Sequence, residues 1–117
     1  MRLKRIYTDH FPMKGFKALT IYPFVFVRKD CALRFSAMDE RHETTHAIQQ
    51  LETLWVLFFL IYCLEWLLKL PFCKFNTKKA YYSISFEQEA YNNQTDREYN
   101  SMRGFWNWTG YVFTIKE

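Results

Sequence analysis

The chain has three cysteines, Cys31, Cys63 and Cys73, and no C-x-x-C pair. An odd count without that spacing argues against a disulfide framework and makes a reducing compartment the default. The basic start, Met1-Arg2-Leu3-Lys4-Arg5, has no apolar stretch behind it. A secretory signal is therefore not expected, and the cytoplasm of the producing cell is the default location. No internal repeat and no low-complexity segment occurs, which excludes solenoids and linkers. The formal charge is +4, but no basic stripe is interleaved with aromatics. Nucleic acid is not an expected partner. No apolar run is long enough for a span of about 20 residues. The longest, Leu54 to Leu64, stops at Glu65, and a carboxylate at depth costs a few kcal/mol.

Hydrophobic residues make up 50% of the chain and aromatics 21%. That exceeds what a small soluble domain usually carries, and an aromatic excess often lies at an interface with a partner or a membrane. At 117 residues the length fits one domain, taken as residues 1–117. Residues 1–15 read as an irregular arm, punctuated by His10-Phe11-Pro12 and Lys14-Gly15. Phe16 to Arg28 is dense in β-formers, interrupted by Pro23, so an edge strand, a bulge or two short strands are expected. A further short strand is expected over about Ala32 to Phe35. Ser36 reads as a helix cap, with Asp39 and Glu40 at the positive end of the dipole. No breaker follows before Pro71, which predicts one long helix from about Ala37 to Lys69. Its second half, about residues 54–68, is apolar enough to be buried all round or to lie in a membrane interface or a partner's groove. Ser85 and Gln88 read as a capping box opening a second helix that runs to about Met102, with Gly104 at its end. Residues 105–117 form an aromatic tail expected to pack back on the long helix. The fold class is therefore α+β: a short N-terminal β-hairpin or edge sheet against a long helix and a second one.

The most specific string is His42-Glu43-Thr44-Thr45-His46, an H-E-x-x-H. Residues four apart share a helix face, so His42 and His46 can grip one metal ion. Glu43 between them is then placed to take a proton from a bound water. Three fixed positions give about one chance match per 8,000 windows, so the match is informative in so short a chain.

Zinc held this way needs a third protein ligand. The three-histidine pattern fails, because Gln49 stands where a bending glycine is required and Glu52 where the third histidine would be. A carboxylate from the second helix remains, and Ser85-Phe86-Glu87-Gln88-Glu89-Ala90-Tyr91 supplies two. They point about 200° apart, so at most one faces the metal. Glu89, followed by the small Ala90, is the expected ligand, with Glu87 the alternative. Asn93 is the expected hydrogen-bond partner of a histidine ring. Tyr81, Tyr82, Tyr91 and Tyr99 are candidates to stabilise an oxyanion. His10 and the three cysteines are expected to play no part.

The strings His42 to Gln50 and Phe86 to Tyr91 resemble zincin-like metallopeptidases of the gluzincin type. In those families the E-A pair of a second helix carries the third zinc ligand, which falls on Glu89 here. Over about residues 11–106 the chain is similar to small proteins of gut Bacteroidetes and their crass-like bacteriophages. The resemblance implies Zn2+ as cofactor and a minimal zinc-dependent peptidase acting on a peptide substrate. Its alternative is a non-catalytic assembly protein of a phage virion, bound to tail or muzzle proteins. The absence of a substrate-binding lobe sets the chain apart from large secreted proteases.

Overall fold

The computed structural model describes residues 3–10 and 16–116, and its architecture is α+β. Three strands open the chain: β1 (Lys4–Thr8), β2 (Ala18–Ile21) and β3 (Phe24–Arg28). Pro23 falls in the turn between β2 and β3, which pair antiparallel with Ile21 opposite Phe24. Of the options open at this proline, two short strands is the outcome. β1 pairs parallel with β3, in the order β1-β3-β2. The expected irregular arm is thus partly a strand, while residues 1–2 and 11–15 lie outside the described residues. Lys29–Arg34 is a 3-10 helix, not the expected strand over Ala32 to Phe35.

Helix α1 (Ala37–Glu52) starts as expected. Ser36 accepts from the Asp39 backbone N–H, and the Asp39 carboxylate accepts from the Ser36 N–H in return. Val25, Val27, Leu3, Phe35 and Ala47 form the core between sheet and helix. Otherwise the buried face of α1 is polar: His42, Thr45, His46, Gln49 and Gln50.

The single long helix is not observed. The chain breaks after Thr53 and turns by 111° into α2 (Val56–Lys69). Leu54 and Trp55 adopt left-handed φ of 57° and 59°, which is uncommon for such residues and persists only where the surroundings over-determine it. The surroundings are visible. Thr53 Oγ1 donates to Gln49 O (2.8 Å) and Trp55 N to Gln50 O (2.8 Å), closing the helix end. The turn also folds α2 back over the histidine face. A straight helix would carry Phe58 about 18 Å along the axis from His46, yet their rings lie 6.0 Å apart. No single helix among the described residues is long and apolar enough to cross a membrane.

Glu65 and Lys69, the charges that interrupt the apolar helix, point inward. Glu65 accepts from Ser85 N (2.9 Å) and the Ser85 hydroxyl, and pairs with Lys69 Nζ at 3.1 Å. Lys69 in turn donates to the carbonyls of Ser83 and Tyr111. The carboxylate of α2 thereby caps the start of α4 (Ser85–Asn93), which follows α3 (Thr77–Ser83). Ser85 is not itself the cap, and Gln88 instead donates to the Ser83 and Thr114 carbonyls. The second helix is also shorter than expected: α4 ends at Asn93, and α5 (Tyr99–Met102) is separate. The aromatic tail packs on α4, where Trp108 meets Phe86 at 4.6 Å, in a cluster completed by Phe58 and Ile84.

Removing one partner of a buried ion pair leaves the other uncompensated. Glu65→Ala should therefore cost about 3–5 kcal/mol. Leu64→Ala, at an exposed neighbour, should change stability by about 0.5 kcal/mol or less. Urea unfolding of the two variants measures the difference.

Candidate metal centre

The capping box places His42 and His46 on successive turns of α1, four residues apart on its buried face. The break after Thr53 and the Glu65 cap then bring α4 against them, with Glu87 in its first turn. His42, His46 and Glu87 form a buried group that could hold a metal ion. His42 Nε2 lies 3.1 Å from Glu87 Oε1, His46 Nε2 lies 3.2 Å from the same oxygen, and the two Nε2 atoms are 3.2 Å apart. Bonds of about 2.0–2.1 Å to a tetrahedral ion set ligand atoms about 3.3–3.4 Å apart. The observed triangle comes within about 0.3 Å of one face of such a tetrahedron.

The far sides of the rings are held as well. His46 Nδ1 lies 2.8 Å from Gln49 Oε1. The Gln49 amide nitrogen donates to Phe86 O (3.1 Å) and Glu89 Oε1 (2.8 Å), which fixes which end is the carbonyl. A carbonyl only accepts, so Nδ1 carries a proton, and Nε2 is the nitrogen left for an ion. Gln94 Oε1 stands likewise 2.7 Å from His42 Nδ1. Tyr62 donates to Glu87 Oε2 at 2.5 Å, leaving Oε1 to the histidines.

Without an ion the group is a charged cluster. Burial opposes the His46 imidazolium, but the Glu87 carboxylate outweighs it and raises His46 to about 9. Burial likewise works against ionised Glu87, and the two histidines overcome it and hold that carboxyl well below its ordinary range. Glu43 sits beside the triangle, accepting from Thr20 Oγ1 of β2 at 2.8 Å. Burial raises its carboxyl, against the pull of the histidines and Thr20. A cavity of about 240 Å³ opens here, lined by Thr20, Glu43, His46 and Glu87 and by the apolar Leu19, Phe58 and Phe59.

Three of the expected site residues, His42, His46 and Glu43, are thus together. Glu89 is not with them, and the carboxylate at the imidazoles is Glu87. Glu89 points away to Arg103, whose Nε and Nη2 donate to it at 2.8 and 3.0 Å. The same guanidinium grips Glu52 at 2.8 and 3.2 Å, and Tyr99 donates to Glu89 at 2.5 Å. Asn93 donates to the Glu89 carbonyl, and Gln49 and Gln94 take the place it was expected to fill. Of the tyrosines, Tyr81 lines the cavity, Tyr91 packs on the His42 ring at 4.3 Å, and Tyr99 serves Glu89. Tyr62 was not singled out in the sequence. Its place three residues before Glu65 gave no signal until α2 was known to fold back. His10 is exposed and stands outside the group, as do Cys31, Cys63 and Cys73.

No protein-family model, curated protein or solved structure matches the chain.

The two carboxylates of α4 should separate cleanly. Glu87→Ala should abolish metal retention. Glu89→Ala should keep the metal and lose about 3–5 kcal/mol of stability, because Arg103 is left buried without that partner. Metal analysis after dialysis and denaturant unfolding read the two effects.

Proposed function

We propose that the chain is a minimal, zincin-like, zinc-dependent peptidase. The observation that supports this reading is the triangle of two imidazole nitrogens and one carboxylate oxygen with edges of 3.1–3.2 Å, next to a separate carboxylate. Two nitrogens and one oxygen are a donor set that suits zinc and leaves a fourth position open. His42, His46 and Glu87 would hold the ion. Once bound, it would supply Lewis acidity to a water and a peptide carbonyl.

The remaining roles belong to the chain's own residues. Gln49 and Gln94 keep the imidazoles in the ligating tautomer, and Tyr62 holds the Glu87 carboxylate in register. Glu43 takes the proton of the attacking water and passes it to the leaving amine. Thr20 orients it from the edge strand. Its raised affinity for a proton suits a group that must first accept one and then return it. The apolar cavity walls favour substrates with a bulky apolar side chain and exclude water from the reacting bond.

A second reading keeps the metal and gives up the chemistry: the ion braces the domain, and the chain is an assembly protein such as a virion tail component. It is favoured by the exposure of Phe105 (80%) and Phe113 (98%) at the C-terminal end.

Glu43→Gln separates the two. As a peptidase, the variant keeps its metal and loses kcat/KM on a peptide library by about 10²-fold or more. Unchanged turnover in the variant, or no turnover in the metal-loaded parent, contradicts the peptidase reading. The assembly reading expects normal incorporation of Glu43→Gln and loss of it in Trp106→Ala.

A further inference from the structure

Helix α2 carries its apolar side outward. Val56, Leu57, Leu60, Leu64, Leu67 and Leu68 are 47–67% exposed, and their spacing of three or four residues makes one stripe. The charges of the same helix, Glu65 and Lys69, are 7% and 6% exposed and paired inside. This inverts the usual pattern of a helix packed on a soluble core. Beyond the helix ends, Leu54, Phe72 and Phe75 are 69%, 78% and 70% exposed. An apolar surface of this extent marks an interaction face.

The charges nearby indicate what covers it. From Leu54 to Ile84 the one carboxylate is Glu65, which is already paired. Lys74, Lys78 and Lys79 are exposed, and Lys78 lines the same groove as Cys63, Trp66 and Leu67. A second copy of the chain would bring leucines to leucines but offer these lysines no carboxylate from the same stretch. An anionic lipid surface satisfies both halves, taking the stripe into the acyl boundary and the lysines onto phosphates. At 14 residues, α2 is about 21 Å long, short of the roughly 30 Å hydrocarbon core.

We propose that α2, with Phe72 and Phe75, lies in the interface of an anionic membrane, held there by its leucines and by Lys74, Lys78 and Lys79. The inner face of α2, through Phe58, Phe59 and Tyr62, lines the cavity beside His46 and Glu87. The metal group is then held about one helix diameter, roughly 10 Å, from the bilayer surface. This inference stands whether or not the chain cleaves peptides.

Flotation of the full chain with lipid vesicles tests it. The protein should float with phosphatidylcholine vesicles containing about 30% phosphatidylglycerol, and far less with phosphatidylcholine alone. Leu60→Glu/Leu64→Glu should abolish flotation. Replacing Lys74, Lys78 and Lys79 with Gln should weaken it on the order of 100-fold. Both variants change exposed side chains, so both should keep the metal and helical content of the parent. Three results overturn the proposal: no flotation with either vesicle, flotation unchanged in the leucine variant, or a stable parent dimer in light scattering that this variant dissolves.

Discussion

The buried face of α1 is polar, and the packing of β2, α4 and α5 around it answers that polarity. Two histidines, two glutamines and a threonine occupy positions that a core helix would give to leucine. Burying such groups unpaired costs about 1–3 kcal/mol each. Each therefore has a partner, and the partners outside α1 come from β2 and its turn, from α4 with Gln94, and from α5. β2 supplies the Thr20 carbonyl to Gln50 and the Thr20 hydroxyl to Glu43. α4 supplies Glu87 to the histidines and the Phe86 carbonyl to Gln49, and Asn100 of α5 accepts from Thr45. Among the described residues, Trp108 Nε1 is the one buried side-chain nitrogen or oxygen without a partner.

The same accounting explains why α4 carries two carboxylates with different work. Glu87 and Glu89 lie on opposite sides of the helix, one at the imidazoles and one at Arg103. The Arg103 clamp joins α1, α4 and the C-terminal segment through Glu52, Glu89 and the Trp106 N–H, which donates to Glu52 at 2.8 Å. It ties the side of α4 opposite Glu87 to α1 and to the C-terminal segment. The Glu65 cap fixes where α4 begins. Both charge contacts lie outside the group of His42, His46 and Glu87.

What local chemistry decides was legible in the sequence. H-E-x-x-H, the Ser36 cap, the interruption at Pro23 and the α+β class all follow from residue types at short spacing. What tertiary partners decide was not. Leu54 and Trp55 carry no turn signature, and the bend there exists because Phe58 and Glu65 have places to fill against α4. The choice between Glu87 and Glu89 turned on Arg103, fourteen residues after Glu89, whose guanidinium required a carboxylate. An E-A pair at the family-like position was a poorer guide than that electrostatic demand. The pairing of β1 with β3 was missed because a five-residue edge strand rich in charge has no alternation to read.

His42, His46 and Glu87 converge as three donors able to hold one ion. Anomalous diffraction at the zinc absorption edge, from crystals grown with the metal, shows whether they do. One strong peak is expected about 2.0–2.1 Å from both Nε2 atoms and from Glu87 Oε1, with Glu89 still on Arg103. No peak at that position, or an ion ligated by Glu89 in place of Glu87, would contradict this set of donors.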